Sequence, residues 1–98
     1  MIVEFDTYPL GKENGLSKEI AEVKKIIEAS GLEHQLTAMG TIIEGDWDEV
    51  LKVIKKCHDK LKEDYVRVET HIKIDDYTGK TGRIEGKVEE VEKKLQTS

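Results

Sequence analysis

The segment HQLTAMGTIIEGDWDEV, residues 34–50, changes character twice and decides the fold. One strand-like run reaches Gly40, a second run follows it, and a helix begins near Asp46. A glycine between two extended runs supplies the tight turn or bulge of a hairpin. Asp46 and Glu49 are three residues apart and match the capping box that opens many helices. The segment therefore predicts two hairpin strands that lead directly into a helix.

The predicted helix carries its apolar residues at helical spacing along one face: Val50, Val53, Ile54, Cys57 and Leu61. Such a stripe indicates that one helix face packs on a sheet. In the hairpin, we expect Leu36, Ala38 and Ile42 to share one face of that sheet, because side chains alternate along a strand.

The flanking segments supply the remaining strands and a first helix. The run IVEFDTY, residues 2–8, alternates apolar and polar side chains and predicts a first strand with one buried face. Pro9 ends that strand, and Ser17 is an acceptable N-cap for a helix that Gly31 terminates. Residues 65–75 show the most regular alternation in the chain and predict the last strand.

A last, highly charged helix with a thin apolar stripe is predicted over about residues 84–95. The whole order fits an α+β fold, a ferredoxin-like βαββαβ antiparallel sheet with an additional C-terminal helix. Two helices cover one face of such a sheet, so the other face meets water, a ligand or a second subunit. That open face is expected to be polar, with Thr37 or Met39 as neighbours, and to carry Glu4, Asp6, Tyr8, Arg67, Glu69, His71 and Lys73.

Length and composition bound the possible functions. The chain has 98 residues, which we interpret as a single domain over 1–98, and its net charge of -5 argues against nucleic acid as a partner. No apolar run reaches the ~20 residues that a bilayer span needs, and no ordinary signal peptide is recognised. A cytoplasmic location without membrane contact is therefore expected. The richness in Lys and Glu is typical of a protein from a thermophile.

Motifs for catalysis, metal binding or a cofactor are weak. Cys57 and His58 point about 100° apart on a helix, and Cys57 lies on the apolar stripe, which favours a buried and inert thiol. The run GKT at residues 79–81 ends like a phosphate-binding loop, but the first glycine of that motif would fall on Ile74. The three histidines lack metal-ligand spacing. We therefore predict no catalytic residue, metal site or cofactor, and expect a protein that is not an enzyme.

Three separated segments, TAMGTIIEGDWDEV, IKIDD and IEGKVEEVEKKL, resemble the small thiamine-binding-like family related to YkoF. The resemblance covers nearly the whole chain. It implies a ferredoxin-like domain with an extra C-terminal helix, assembled as a homo-oligomer, commonly a tetramer built as a dimer of dimers. It also implies thiamine or its hydroxymethylpyrimidine half as the ligand, although fold transfers between relatives better than ligand does.

The resemblance and the strand pattern together select candidate ligand-binding residues: Thr37, Met39, Gly40, Thr41, Tyr8, Glu44 and Lys73. The expected pocket lies between the hairpin at residues 37–41 and the end of the first strand, where threonine hydroxyls meet ring nitrogens and Met39 gives apolar contact. The carboxylates of Glu4, Asp6 or Glu44 would favour the cationic thiazolium ring of thiamine.

Other interpretations of the same residues stay open. Thr37 and Thr41 are also ordinary strand formers, and Gly40 also serves as a plain turn residue. An oligomeric regulatory or interaction module without a metabolite ligand is the main alternative function, and a small enzyme is the third. The negative net charge favours the unphosphorylated vitamin over its diphosphate, unless Lys73 or Arg67 reverses that preference locally.

Overall fold

The structure is a computed structural model that describes residues 1–11 and 15–97. Within these residues the elements are β1 (Ile2–Pro9), α1 (Ser17–Ser30), β2 (Glu33–Thr37), β3 (Gly40–Glu44), α2 (Trp47–Lys62), β4 (Val68–Asp75) and α3 (Arg83–Thr97). The strands pair antiparallel in the order β2-β3-β1-β4. The predicted ferredoxin-like βαββαβ sheet with an additional C-terminal helix is therefore confirmed.

The hydrophobic core lies between one face of the sheet and helices α1 and α2. It combines the inward side chains of β1 and β3 with the apolar faces of the two helices: Val3, Phe5, Val23, Ile27, Ile43, Val50, Val53, Ile54, Cys57 and Leu61. The apolar stripe predicted for α2 is buried in full, because its 3.6-residue period keeps those side chains on the face that meets the sheet.

The register of the β2–β3 hairpin differs from the predicted one. Two turn residues, 38–39, connect the strands. Each even-numbered residue of β2 therefore pairs with an odd-numbered residue of β3, and each odd-numbered residue with an even-numbered one. Leu36 faces Thr41, which is only 6% exposed on the helix side of the sheet. Ile42 therefore lies on the opposite, open face, and the expectation that it shares a face with Leu36 is wrong.

β4 begins later than the sequence alternation predicted. Its pairing with β1 begins at Val68, and Val66 is 95% exposed. The Val66 carbonyl oxygen accepts a hydrogen bond from Lys62 Nζ at 2.8 Å, which ties this residue to the end of α2. Val66 thus belongs to the connection after α2, where an alternating pattern continues without a neighbouring strand.

The helix ends agree with the sequence in part. Ser17 is the first residue of α1 and not its N-cap, and Leu16 in the cap position makes no side-chain hydrogen bond. Asp46 occupies the N-cap of α2 with an extended backbone, but its side chain makes no cap hydrogen bond either. Gly31 ends α1 as predicted, in the left-handed conformation that glycine adopts without strain.

α3 docks by its first turn on the open face of the sheet. The Glu44 carboxylate accepts hydrogen bonds from the backbone N–H groups of Arg83 at 2.7 Å and Ile84 at 3.1 Å, which satisfies two free amides of the helix end. Lys87 donates to the Asp75 carboxylate at 2.5 Å. Farther along the helix the predicted apolar stripe is more than half exposed: Val88, Val91 and Leu95. No helix in the described ranges is long and apolar enough to span a bilayer.

Candidate functional site

A notch interrupts the sheet beside the tip of the β2–β3 hairpin. β1 pairs with β4 along its whole length, but with β3 only from Ile2 to Phe5. Residues 6–8 therefore have a strand neighbour on one side only. The first half of α1 borders this notch, and helix, hairpin and strand together line a cavity of about 500 Å³.

The wall of this cavity, which we call the hairpin pocket, is mostly apolar. Its apolar side chains come from β1, α1 and the hairpin: Phe5, Leu16, Ile20, Val23, Leu36, Ala38 and Met39. Met39 at the hairpin tip is 80% exposed, so it stands at the mouth of the pocket. A concave apolar surface of this size, with a few polar groups, is typical of small-molecule sites of about 300–1,000 Å³.

The free edge of β1 turns backbone polar groups toward the notch. The Leu10 N–H donates to the Arg67 carbonyl oxygen on the β4 side at 2.9 Å, and backbone direction alternates along a strand. The N–H and carbonyl groups of Thr7 consequently point to the hairpin side, where the pairing with β3 has already ended. Thr7 thus presents a donor and an acceptor side by side to the hairpin pocket.

Asp6 is the acidic residue among the described residues that line the hairpin pocket. Its Oδ1 atom is buried and makes no hydrogen bond with any residue in the described ranges. Asp6 lines the hairpin pocket and directly follows the last β1 residue that pairs with β3. A buried polar atom without a partner costs about 1–3 kcal/mol, and more when it is charged. An acidic residue beside the pocket favours a ligand that brings an N–H group or a positive charge.

The Thr37 hydroxyl shapes the hairpin turn. It donates to the Gly40 carbonyl oxygen at 2.9 Å and accepts from the Met39 N–H at 3.2 Å. One acceptor position of this hydroxyl is left for a ligand. Thr41 lines the pocket from the helix side of the sheet, where it is buried.

Gly40 allows two strands to approach each other closely. Its φ of +152° is one that L side chains rarely adopt, and a Cβ built there would lie 2.7 Å from the Phe5 carbonyl oxygen. Gly40 is one of the candidate ligand-binding residues that the sequence predicted. The structure shows a close approach to the backbone of β1, which fixes the hairpin tip at the edge of the notch.

Tyr8 lies at the side of the pocket that faces the open face of the sheet. Its hydroxyl lies 3.3 Å from Glu69 Oε2 and 3.3 Å from His71 Nε2, and its ring stacks on His71 with centroids 6.0 Å apart. Desolvation, followed by the neighbouring Glu69 carboxylate, raises the pKa of Tyr8 above its ordinary value. The phenol is therefore a neutral hydrogen-bonding group at physiological pH.

Two of the predicted site residues lie away from the hairpin pocket. Glu44 caps α3, and Lys73 faces Glu4 on the open face beside a separate cavity of about 230 Å³. Among the described residues, the cation that lines the hairpin pocket is Lys24, whose Nζ lies 3.8 Å from Glu28 Oε1. Lys24 was missed because its place depends on how α1 crosses the hairpin, which the sequence pattern does not report.

The sequence neighbours Cys57 and His58 do not form a catalytic pair. Cys57 is fully buried, as predicted, and burial raises the pKa of its thiol to about 11. His58 Nδ1 lies 2.7 Å from Thr70 Oγ1, which in turn lies 2.7 Å from Thr7 Oγ1. This polar chain supports β1 behind the pocket. Across the described ranges no group of three or more His, Cys, Asp or Glu side chains is arranged to hold a metal ion.

Comparison with known sequences points to one family. The profile of the thiamine-binding protein family matches residues 3–92. The UPF0045 protein YqgV of Bacillus subtilis is 38% identical over 101 residues, which cover 97% of each chain. The UPF0045 protein MJ1052 of Methanocaldococcus jannaschii is 34% identical over 91 residues, which cover 93% of this chain and 91% of that protein.

Solved structures show the same fold. The crystal structure of the hypothetical protein MJ1052 superposes with a TM-score of 0.85 over 92% of this chain and 93% of that one. TM0486 of Thermotoga maritima, described as a candidate thiamine biosynthesis or salvage protein, gives a TM-score of 0.80 at 22% identity over 92% of this chain and 96% of that one. At that identity the likeness shows the fold alone.

Proposed function

Because the chain belongs to the thiamine-binding protein family, we propose that it is a small-molecule binding protein whose ligand is thiamine or its hydroxymethylpyrimidine half. The hairpin pocket is the proposed site. The observation that carries this proposal is the mostly apolar cavity of about 500 Å³ beside the free edge of β1, with Asp6 among its lining residues. An aminopyrimidine brings what such a cavity lacks, an N–H donor on a flat apolar ring.

The free edge of β1 matches the donor and acceptor pattern of this ring. An aminopyrimidine carries a ring-nitrogen acceptor next to an amino donor, which complements the N–H and carbonyl groups of Thr7. The second amino hydrogen is then directed to the Asp6 carboxylate. Met39 and Leu36 cover the ring from the hairpin, and Ile20 covers it from α1. Thr41 and the remaining acceptor position of Thr37 offer further polar contacts.

We propose binding without turnover. The most nucleophilic side-chain type in the chain, the Cys57 thiol, is buried in the core with a raised pKa. His58 is held by Thr70 on the helix side, and the wall of the pocket is chiefly apolar. Incubation of thiamine with the protein, followed by chromatography, is expected to return the vitamin intact.

The proposal is tested by titration calorimetry with thiamine, hydroxymethylpyrimidine and thiamine diphosphate. We expect Asp6→Asn to weaken binding of the aminopyrimidine ligands about tenfold or more, because a hydrogen bond to a charged group is lost. Glu4→Gln is the matched control, since Glu4 lies two residues away on the same face of β1 but outside the pocket. Equal losses of affinity in both variants would mean that the overall negative charge of the protein favours the ligand, and that a contact with Asp6 does not. If none of the three ligands binds below the millimolar range, the proposed ligand class is wrong.

The exposed stripe of α3 supports a second proposal, that the protein works as a homo-oligomer, with a tetramer built as a dimer of dimers as the expected form. Val88, Val91 and Leu95 are too apolar and too exposed to be left in water without cost. If no metabolite binds, an oligomeric interaction module is the function that this surface favours. Light scattering across the micromolar range is expected to give a multiple of the 11.2 kDa chain mass, and a single-chain mass would contradict the proposal.

A further inference from the structure

The sulfur atoms of this chain differ sharply in their access to water. The sequence contains two methionines and one cysteine: Met1, Met39 and Cys57. Cys57 is buried in the core, and Met1 is half-buried and packs against the same core. Met39 is 80% exposed at the hairpin tip. A thioether is oxidised where a peroxide can reach it, so Met39 is the sulfur group that an oxidant meets first.

The hairpin turn holds Met39 at the mouth of the hairpin pocket. The Met39 N–H donates to Thr37 Oγ1 at 3.2 Å, and the same hydroxyl donates to the Gly40 carbonyl oxygen at 2.9 Å. The close approach of Gly40 to the Phe5 carbonyl oxygen fixes the turn against β1. The turn therefore keeps residue 39 beside the pocket when the chemistry of its side chain changes.

The side chains around Met39 form an apolar rim that water reaches. Ile20 of α1 is 50% exposed and Leu36 of β2 is 48% exposed, and both line the hairpin pocket together with Met39. Exposed apolar side chains around a concave site favour a ligand that covers them, because apolar surface leaves water. The affinity of the pocket for a flat apolar ring therefore depends on the apolar character of residue 39.

We propose, on the premise that the hairpin pocket is the ligand site, that Met39 is an oxidation site whose modification by hydrogen peroxide lowers the affinity of the pocket. A lone pair of the thioether sulfur attacks one peroxide oxygen, so that an S–O bond forms and the O–O bond breaks. The sulfur loses two electrons and the peroxide gains them. The proton of the transferred oxygen passes to the departing hydroxide, which leaves as water. The product is methionine sulfoxide, which sulfoxide reductases convert back.

The sulfoxide weakens binding in either orientation of the side chain. Turned inward, its oxygen is an acceptor between the apolar side chains of Leu36 and Ile20, and a ring that covers it buries a polar group. Turned outward, the oxygen stays in water, and the ring loses the apolar cover of the thioether. We expect oxidation of Met39 to weaken thiamine binding about five- to tenfold.

A ligand in the pocket protects Met39 in turn. A ring under the hairpin tip covers the side chain, so oxidation proceeds through the protein molecules whose pocket is empty. With hydroxymethylpyrimidine at about ten times its dissociation constant, oxidation of Met39 is expected to slow about tenfold. Met1 lies outside the pocket and is expected to react at an unchanged rate.

Peptide mass spectrometry after treatment with hydrogen peroxide tests the site of oxidation. We expect Met39 to take up one oxygen atom before Met1 does, and saturating hydroxymethylpyrimidine to delay the reaction at Met39 alone. Equal rates at the two methionines in the folded protein would overturn the assignment of Met39. A rate at Met39 that saturating ligand leaves unchanged would show that the ligand does not cover this side chain, and would overturn the coupling.

Titration calorimetry with thiamine, after removal of the peroxide, tests the effect on affinity. Met39→Leu keeps an apolar side chain of similar volume without sulfur, so we expect it to bind like the wild type before and after peroxide. Met39→Gln carries a polar group at a similar length and is expected to bind about five- to tenfold more weakly without any peroxide. Reduction of the oxidised wild type by a methionine sulfoxide reductase is expected to restore its affinity.

The same titrations distinguish a failure at Met39 from a failure of the proposed function. If the untreated wild type binds none of the three ligands, the proposed function is wrong and the role of Met39 falls with it. If the wild type binds thiamine equally well with the sulfoxide at residue 39, the ligand site stands and the role of Met39 alone is wrong. A peroxide-treated Met39→Leu that loses as much affinity as the treated wild type would place the damage at another residue and would also overturn the role of Met39.

Discussion

A Cβ atom on Gly40 would lie 2.7 Å from the carbonyl oxygen of Phe5, nearer than real side chains approach a backbone. Because the φ of Gly40 is also +152°, alanine at this position meets both backbone strain and a clash that no side chain can relieve. We predict that Gly40→Ala lowers the free energy of unfolding by about 2–4 kcal/mol, measured by urea denaturation.

The control for this prediction is Gly79→Ala. Gly79 has a φ of +79°, but a Cβ there meets nothing within 4 Å. This variant carries the cost of the left-handed backbone alone, about 1–2 kcal/mol. Equal losses at both positions would mean that the contact with Phe5 does not constrain the hairpin.

The order of the elements could be predicted because the signals for it are local. Alternation over residues 2–8 and the helical stripe after Asp46 depend on sequence spacing alone, and the structure has a strand and a helix at those positions. The hairpin faces could not be fixed this way. A turn of two residues instead of three exchanges the faces of Thr41 and Ile42, and a glycine in the sequence does not specify the turn length.

The site could be predicted only in part, because it depends on where pairing stops. The sequence placed the hairpin residues next to the end of the first strand, and the structure brings Tyr8 and the hairpin tip to one cavity. Glu44 is only three residues from Thr41, yet along an extended strand that is about 10 Å, and it faces Ile2 at the other end of the sheet. The place of Asp6 and Thr7 beside the cavity follows from the end of the β1–β3 pairing, which no local pattern reports.

Asp46 occupies the N-cap of α2 without a side-chain hydrogen bond, so its replacement is predicted to cost little. We expect Asp46→Ala to lower the free energy of unfolding by about 0.5 kcal/mol or less, the size of a surface charge effect at a helix end. Ser30→Ala is the comparison. The Ser30 hydroxyl donates to the Ile27 carbonyl oxygen and accepts from the Leu32 N–H, so its loss is expected to cost about 1 kcal/mol. Urea denaturation of both variants decides, and a larger loss for Asp46→Ala would show that its carboxylate caps the helix in solution.

The buried Cys57 predicts a specific dependence of stability on pH. Burial raises its pKa from 9.0 to about 11 in the folded protein, so the unfolded chain loses its thiol proton first as the pH rises. The stability from this group is therefore complete below pH 9 and is lost between pH 9 and about 11, by roughly 2–3 kcal/mol. Cys57→Ala has no thiol and therefore lacks this contribution to the pH dependence of stability. We expect the wild type to lose more unfolding free energy than Cys57→Ala between pH 8 and pH 11, and parallel losses would contradict the raised pKa.

Lys24 at the pocket predicts how the protein treats a phosphorylated vitamin. The net charge of -5 repels thiamine diphosphate, but Lys24 lines the hairpin pocket, and its ammonium is only weakly engaged by Glu28 across 3.8 Å between half-exposed side chains. We therefore expect Lys24→Ala to weaken binding of the diphosphate about two- to fivefold and to leave binding of thiamine unchanged, in titration calorimetry at low salt.

Lys25→Ala is the matched control, because the next residue of a helix points about 100° away and Lys25 does not line the pocket. The difference between the two ligands should shrink at high salt, since exposed charges are screened. If Lys24→Ala weakens both ligands equally, the lysine acts by packing its apolar stem against the ring, and if Lys25→Ala has the same effect, the diphosphate senses only the net charge of α1.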